Sequence, residues 1–250
     1  MTSPSIELVD AHCHLDLFPD PIALARCVNE RRIHTIAVTN APSVFSHTER
    51  LAAGSRYLHA AVGLHPELVA THAHELDRIW PALERTRFVG EVGLDYTTND
   101  PDLRSRQRAV FTKILDHCAA YGDKTITVHS RRATADTIDA IGERYRGRVV
   151  LHWFTGSRKE LERAIRNGLY FSVNPAMVQT QKGRELVAAM PSDRVLTESD
   201  GPFVRMGAQS ADPTSAPIVI QYLAQVWRRS EDETALTILA NMELGEENAP

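Results

Sequence analysis

The sequence predicts an α/β protein of the TIM (β/α)8 barrel class, and three observations carry that prediction. Short β-rich runs alternate with longer amphipathic stretches, the alternation repeats eight times within 250 residues, and no phosphate-cradling glycine loop follows the first strand. An open doubly wound sheet would show the same alternation, but it commonly carries a GxGxxG or Walker loop at that point. This chain instead runs into Asp10-Ala11-His12-Cys13-His14.

Taken in order, the first strand is read at 6–9 and the first helical pattern at 22–32, which together make a βα unit. Apolar, β-rich runs then place strands at 35–38, 58–62, 88–92, 125–128, 149–151, 169–173 and 195–197. Amphipathic segments between them predict helices at 43–53, 73–85, 103–121, 133–145, 158–167 and 182–190, with another at 216–229 after the eighth strand. A last amphipathic segment spans 232–244. No linker, repeat array or low-complexity tract separates a second domain, so one barrel is expected over residues 1–250.

The bulk composition narrows the function classes. With 43% hydrophobic and 24% charged residues the chain reads as an ordinary folded protein rather than a disordered or fibrous one. A formal net charge of -4 argues against a broadly basic nucleic-acid binder, yet bound cations would supply positive charge that a count of side chains does not see. Cys13, Cys27 and Cys118 are too scattered for a disulfide framework and form no CxxC pair, which predicts a reducing, cytoplasmic compartment. No apolar run approaches the roughly 18 residues of a membrane span, and the polar Met1-Thr2-Ser3-Pro4-Ser5 start predicts no signal peptide.

Metal-competent side chains fall at the strand ends. His12 and His14 follow the first strand, Glu91 lies in the fourth, His129 ends the fifth, His152 ends the sixth and Asp200 follows the eighth. In a parallel barrel those ends converge on one mouth. Neutral imidazoles and ionised carboxylates suit zinc or manganese, and carboxylates also bridge pairs of ions. Period-two alternation sets His12 and His14 on one side of an extended segment, so both are placed to grip one ion. Glu91 is then expected to bridge that ion to a second held by His129 and His152. Asp200 is expected to complete the first shell and to take a proton from an attacking water, so Asp200 and Glu91 are the candidate catalytic residues. Two such ions suit phosphodiester hydrolysis. The same alternation turns Cys13 away from the imidazoles and into packing, and His34, His47, His59, His72, His74 and His117 read as surface or packing residues.

These motifs resemble the TatD family of metal-dependent deoxyribonucleases, within the amidohydrolase-like barrels. The residues that carry the resemblance are Asp10 to Asp16, Gly63-Leu64-His65-Pro66, Gly90 to Tyr96, His129-Ser130-Arg131, His152 to Ser157 and Thr197 to Pro202. The resemblance implies metal ligation by His12, His14, Glu91, His129, His152 and Asp200, and places His65 at the cavity as a phosphate contact. Asp95, Arg131 and Glu198 are candidate substrate groups or outer partners that fix the tautomers of the metal-bound histidines. It further implies two divalent ions (magnesium, manganese or zinc), DNA as substrate and 3′-end trimming of single strands.

The sequence departs from the family at the rim. Arg205 to Pro213 replaces the usual Arg- and Asn-rich loop, Phe171-Ser172-Val173-Asn174-Pro175 replaces a Ser-Gly turn, and Asn241-Met242-Glu243-Leu244 lacks the paired phenylalanines. An intact metal set with an altered rim looks most like the divergent TatD-like nucleases encoded beside partner proteins in four-gene Qat anti-phage defence systems, which implies protein partners in a defence complex. Two alternatives stay open: hydrolysis of a small ester, lactone or amide, and a partner-docking scaffold with a vestigial metal site.

Overall fold

The computed structural model describes residues 6–242. The reading of Met1 to Ser5 and the part of the tail at Glu243 and Leu244 lie outside the described residues. Eight parallel strands, β1 (Leu8–Cys13), β2 (Ile33–Ala37), β3 (Leu58–Val62), β4 (Phe88–Gly93), β5 (Thr125–His129), β6 (Arg148–Leu151), β7 (Tyr170–Val173) and β8 (Val195–Thr197), follow one another in sheet order. Seven parallel ladders join consecutive strands. The β8/β1 seam is closed by single bonds: Asp200 N donates to His12 O at 2.9 Å, and His14 N to Gly201 O at 2.9 Å. The result is a TIM (β/α)8 barrel.

Its strands are nearly continuous apolar runs because both faces are covered, the inner one by side chains filling the barrel and the outer one by helices. β2 and β4 are buried along their whole length. The helices are α1 (Pro21–Arg31), α2 (Phe45–Ala52), α3 (Val69–His72), α4 (Ile79–Leu83), α5 (Pro101–Tyr121), α6 (Thr134–Ile141), α7 (Arg158–Arg166), α8 (Pro175–Gln179), α9 (Gln181–Val187), α10 (Ala216–Trp227) and α11 (Glu231–Met242). Their starts are written locally. Asp20 caps α1 by accepting from Ala23 N with Pro21 beside it, and Ser157 forms a capping box with Glu160 on α7. No helix among the described residues is long and apolar enough to cross a membrane.

Four differences from the sequence reading have physical causes. β1 extends to Cys13 instead of ending at residue 9, because buried Asp10 is satisfied inside the strand by His12 N, Ser199 N and Ser199 Oγ. His12 therefore lies within β1, and only His14 follows it. The helix expected at 73–85 is a 3-10 turn, Ala73–Arg78, leading into α4, whose first turn accommodates Pro81. The helix expected at 133–145 stops at Ile141, where Gly142 turns to a φ of 74°. Beyond β7, Asn174 accepts from Met177 N and starts the unforeseen α8. Cys13 packs with Leu15, Ala25, Val28, Ala37 and Leu58, as alternation predicts.

At the end of the barrel opposite the catalytic-type side chains, Glu7 gathers Arg32 Nη2 at 2.6 Å, His34 Nε2 at 2.9 Å and Tyr57 OH at 3.0 Å. Burial alone would raise this carboxyl, but the bonds from His34, Arg32 and Tyr57 outweigh it and hold it at about 2. A carboxyl depressed in the folded state adds stability above its ordinary 4.5, and that contribution is lost as pH falls toward 2. Glu7→Gln is therefore expected to cost about 1–3 kcal/mol at pH 7 and little near pH 2. Urea unfolding at both pH values checks this, and an equal cost at both would contradict it.

Candidate metal centre

The carboxyl ends of the strands deliver seven buried or half-buried side chains to one place. Glu91 stands at the middle of it, 2% exposed. Its Oε2 lies 3.2 Å from His14 Nε2 and 3.6 Å from His12 Nε2. Its Oε1 lies 2.7 Å from His129 Nδ1, 2.8 Å from His152 Nε2 and 3.4 Å from His65 Nε2. Asp200 Oδ1 closes the first side, 3.6 Å from His14 Nε2 and 3.8 Å from His12 Nε2. One carboxylate thus addresses two groups of donors, one oxygen to each.

The backbone is shaped for this. The β1/β2 ladder is irregular between Asp10 and Cys13, and the β4/β5 ladder between Val89 and Val92. Such irregularities re-aim side chains, and these two bracket His12 and Glu91. Gly93, at a φ of 138°, lets β4 run so close to β5 that a β-carbon there would collide with the His129 carbonyl oxygen. Trp153 and Asp200 hold left-handed backbone at φ 38° and 46°, conformations costly for residues with a β-carbon and concentrated at functional sites.

Outer partners fix the rings. His12 Nδ1 meets Thr127 Oγ1 at 2.6 Å, and His129 Nε2 meets Asp95 Oδ2 at 2.8 Å. Each bond leaves the opposite nitrogen aimed at Glu91. Glu198 accepts from Trp153 N and Asn174 Nδ2, both at 3.0 Å, and from Ser172 Oγ, and lies 3.8 Å from His152 Nδ1.

The charges are closely matched. Burial would raise Glu91, but the His65, His152 and His129 rings hold it well below the usual carboxylate range. Burial would lower His14 and His129, yet Asp200 and Glu91 lift His14 to about 9, and Glu91 with Asp95 lifts His129 to about 10. His12 goes the other way, to about 4, through burial and the neighbouring His152. Buried carboxylates that need this much compensating positive charge, ringed by imidazole nitrogens, are the donor chemistry of a divalent cation site. Among the described residues, three sets of converging donor atoms meet that requirement: His12, Glu91, His152; His12, His14, Asp200; and His65, Glu91, His129.

The site opens into a cavity of about 430 Å³ lined by His14, His65, Glu91, His129, Arg131 and Asp200, with Trp153 and Phe203 at its edge. The six residues expected to ligate metal all converge here. His65 lines the cavity and also stands in the third of these sets, with Glu91 and His129. Arg131 is exposed at the cavity wall. Asp95 and Glu198, expected as substrate groups or as outer partners of the histidines, are each 1% exposed and lie behind an imidazole, off the cavity wall, which is the place of an outer partner. Thr127 was missed. Its only signal is its place two residues before His129 on β5, hence on the same strand face. Asp95→Asn is expected to weaken metal affinity about 10–100-fold by loosening the His129 ring. Metal titration of the chelated protein checks this, and unchanged affinity would contradict it.

A parallel barrel with buried histidines and two carboxylates converging at its carboxyl-end mouth defines a metal-dependent hydrolase. The comparisons narrow the class. The model of the family described as TatD related DNase matches residues 9–244, and this chain belongs to that family. The metal-dependent hydrolase YjjV of Escherichia coli (strain K12) is 29% identical over 93% of this chain and 95% of its own length. The human deoxyribonuclease TATDN3 is 27% identical over 93% and 92%. The crystal structure of YjjV superposes with a TM-score of 0.83 at 28% identity, covering 94% of this chain and 96% of that one.

Proposed function

We propose that this enzyme hydrolyses DNA phosphodiester bonds at a two-ion centre, removing nucleotides from the 3′ end of single strands. The observation that carries the reading is the Glu91 carboxylate, whose two oxygens face two separate donor groups at the floor of an open cavity. His12, His14 and Asp200 would hold one ion, His129 and His152 the other, with Glu91 shared. When bound, such ions acidify a water and neutralise charge on the phosphate. Asp200 accepts the proton of the attacking water from its position on the cavity wall. His65 Nε2 and the Arg131 guanidinium contact the non-bridging oxygens, and the fork of Arg131 suits that geometry. Magnesium, manganese and zinc all suit this mixed nitrogen and oxygen donor set.

The wider role we infer is anti-phage defence in the cytoplasm, together with partner proteins. The resemblance to nucleases of Qat systems, an intact metal set with an altered rim, supports it; at that rim Arg205–Met206 and Gln209–Ser210 pair as a small antiparallel hairpin beyond Asp200. Three unbridged cysteines agree with a reducing compartment. Phage challenge of cells carrying native and His12→Ala/His14→Ala chains tests this, and equal protection would contradict a catalytic role in defence.

The nuclease itself is tested with single- and double-stranded DNA labelled at either end, incubated with each metal beside His129→Ala and Asp200→Ala controls. Expected is metal-dependent shortening of single strands from the 3′ end that both controls lose. Turnover of lactones or carboxyl esters without any DNA cleavage would overturn the reading.

A further inference from the structure

We propose that Phe203 is a stacking platform for the nucleobase next to the scissile phosphate. This rests on the nuclease reading above and names a contact within it. Of the large apolar side chains exposed among the described residues, Phe203 alone borders the metal-centre cavity, and it is 55% exposed. An open phenyl ring costs solvation and contributes nothing to the core.

Its placement is nevertheless fixed. Phe203 N donates to Asp200 O at 2.9 Å and Val204 N to the same oxygen at 3.2 Å, so the ring is carried by the turn that carries Asp200. The ring meets His14 in a T-shaped contact, with centroids 4.9 Å apart and planes at 84°. His14 has no polar outer partner to orient it: its Nδ1 is buried without a hydrogen-bond partner, whereas His12 and His129 are oriented by Thr127 and Asp95. One side of the phenyl ring therefore steadies His14, and the remainder faces the cavity.

Every nucleobase has a π-face, so an aromatic ring at such a place binds single strands with little regard to sequence. The ring is one imidazole away from Glu91 and Asp200, so a base stacked on it belongs to the nucleotide whose phosphate lies at the centre. A paired base in a duplex already has stacking neighbours on both sides and cannot take this position without unpairing. The platform thus selects unpaired strands.

The test crosses Phe203→Leu with removal of a base. Leu keeps an apolar contact for His14 and lacks the π-face. Single strands carrying an abasic site at the last or the penultimate nucleotide are compared with the intact strand. The native enzyme is expected to lose about tenfold in kcat/KM at one of these abasic positions. Phe203→Leu is expected to lose the same factor on the intact strand, mostly in KM, and nothing further on the abasic one. A 2-aminopurine at that position is expected to be quenched on binding the native protein and unquenched on binding Phe203→Leu. Equal loss by Phe203→Leu on both strands would show that the ring only steadies His14 and would overturn the proposal alone. A native protein that neither binds nor cuts DNA would overturn the nuclease reading and this proposal with it.

Discussion

Replacing Glu91 by Gln is expected to lower phosphodiester cleavage by about 10²–10³-fold, the scale of losing preorganised charge at a reacting centre. Gln preserves the volume of a side chain that is 2% exposed, so the barrel should still fold. What it removes is the shared anion. Oε1 and Oε2 each sit within 3.7 Å of imidazole nitrogens from different strands, and no other carboxylate at the site reaches both groups. The neutral amide also presents an N–H₂ where one group needs an acceptor. The expected signature is a joint fall in kcat and in metal bound per chain, with an unchanged circular dichroism spectrum. Retention of both metal and activity would remove Glu91 from the centre.

Asp200→Asn is expected to cost about 10²–10⁴-fold in kcat, the range of a lost general base, with a smaller effect on metal content. The difference follows from position. Asp200 stands on one side only, 3.6 and 3.8 Å from the two imidazoles of β1, and its backbone is anchored by the 2.9 Å bond from its N to His12 O. Asn keeps that turn and an oxygen donor but cannot take a proton. Steady-state rates beside metal analysis of the same preparations check the split. A kcat within about tenfold of native would assign the proton transfer to another group.

Much of this was legible in the sequence. β3 and β8 fall where period and composition place them, because their bounding turns are local signals. The six convergent donors were legible for a different reason: each lies at or near the carboxyl end of a strand, and barrel topology alone brings those ends together. The rest depends on contacts that no local pattern encodes. β1 was cut short because a buried Asp10 reads as a breaker until Ser199, 189 positions away, supplies its bonds. Asp95 and Glu198 stayed open between substrate group and outer partner, since nothing local distinguishes a carboxylate facing a ligand from one bonded behind a histidine. Thr127 supports His12 across 115 positions of chain. Phe203 looked like any apolar residue after Pro202, and only its exposure beside His14 marks it.

Two divalent ions are expected to occupy the site, with Glu91 between them. Anomalous diffraction at the manganese edge, from crystals grown with manganese, tests it most directly. Two anomalous peaks are expected, one against His12, His14 and Asp200 and the other against His129 and His152, both touching the Glu91 carboxylate. A single peak, or peaks away from Glu91, would contradict it.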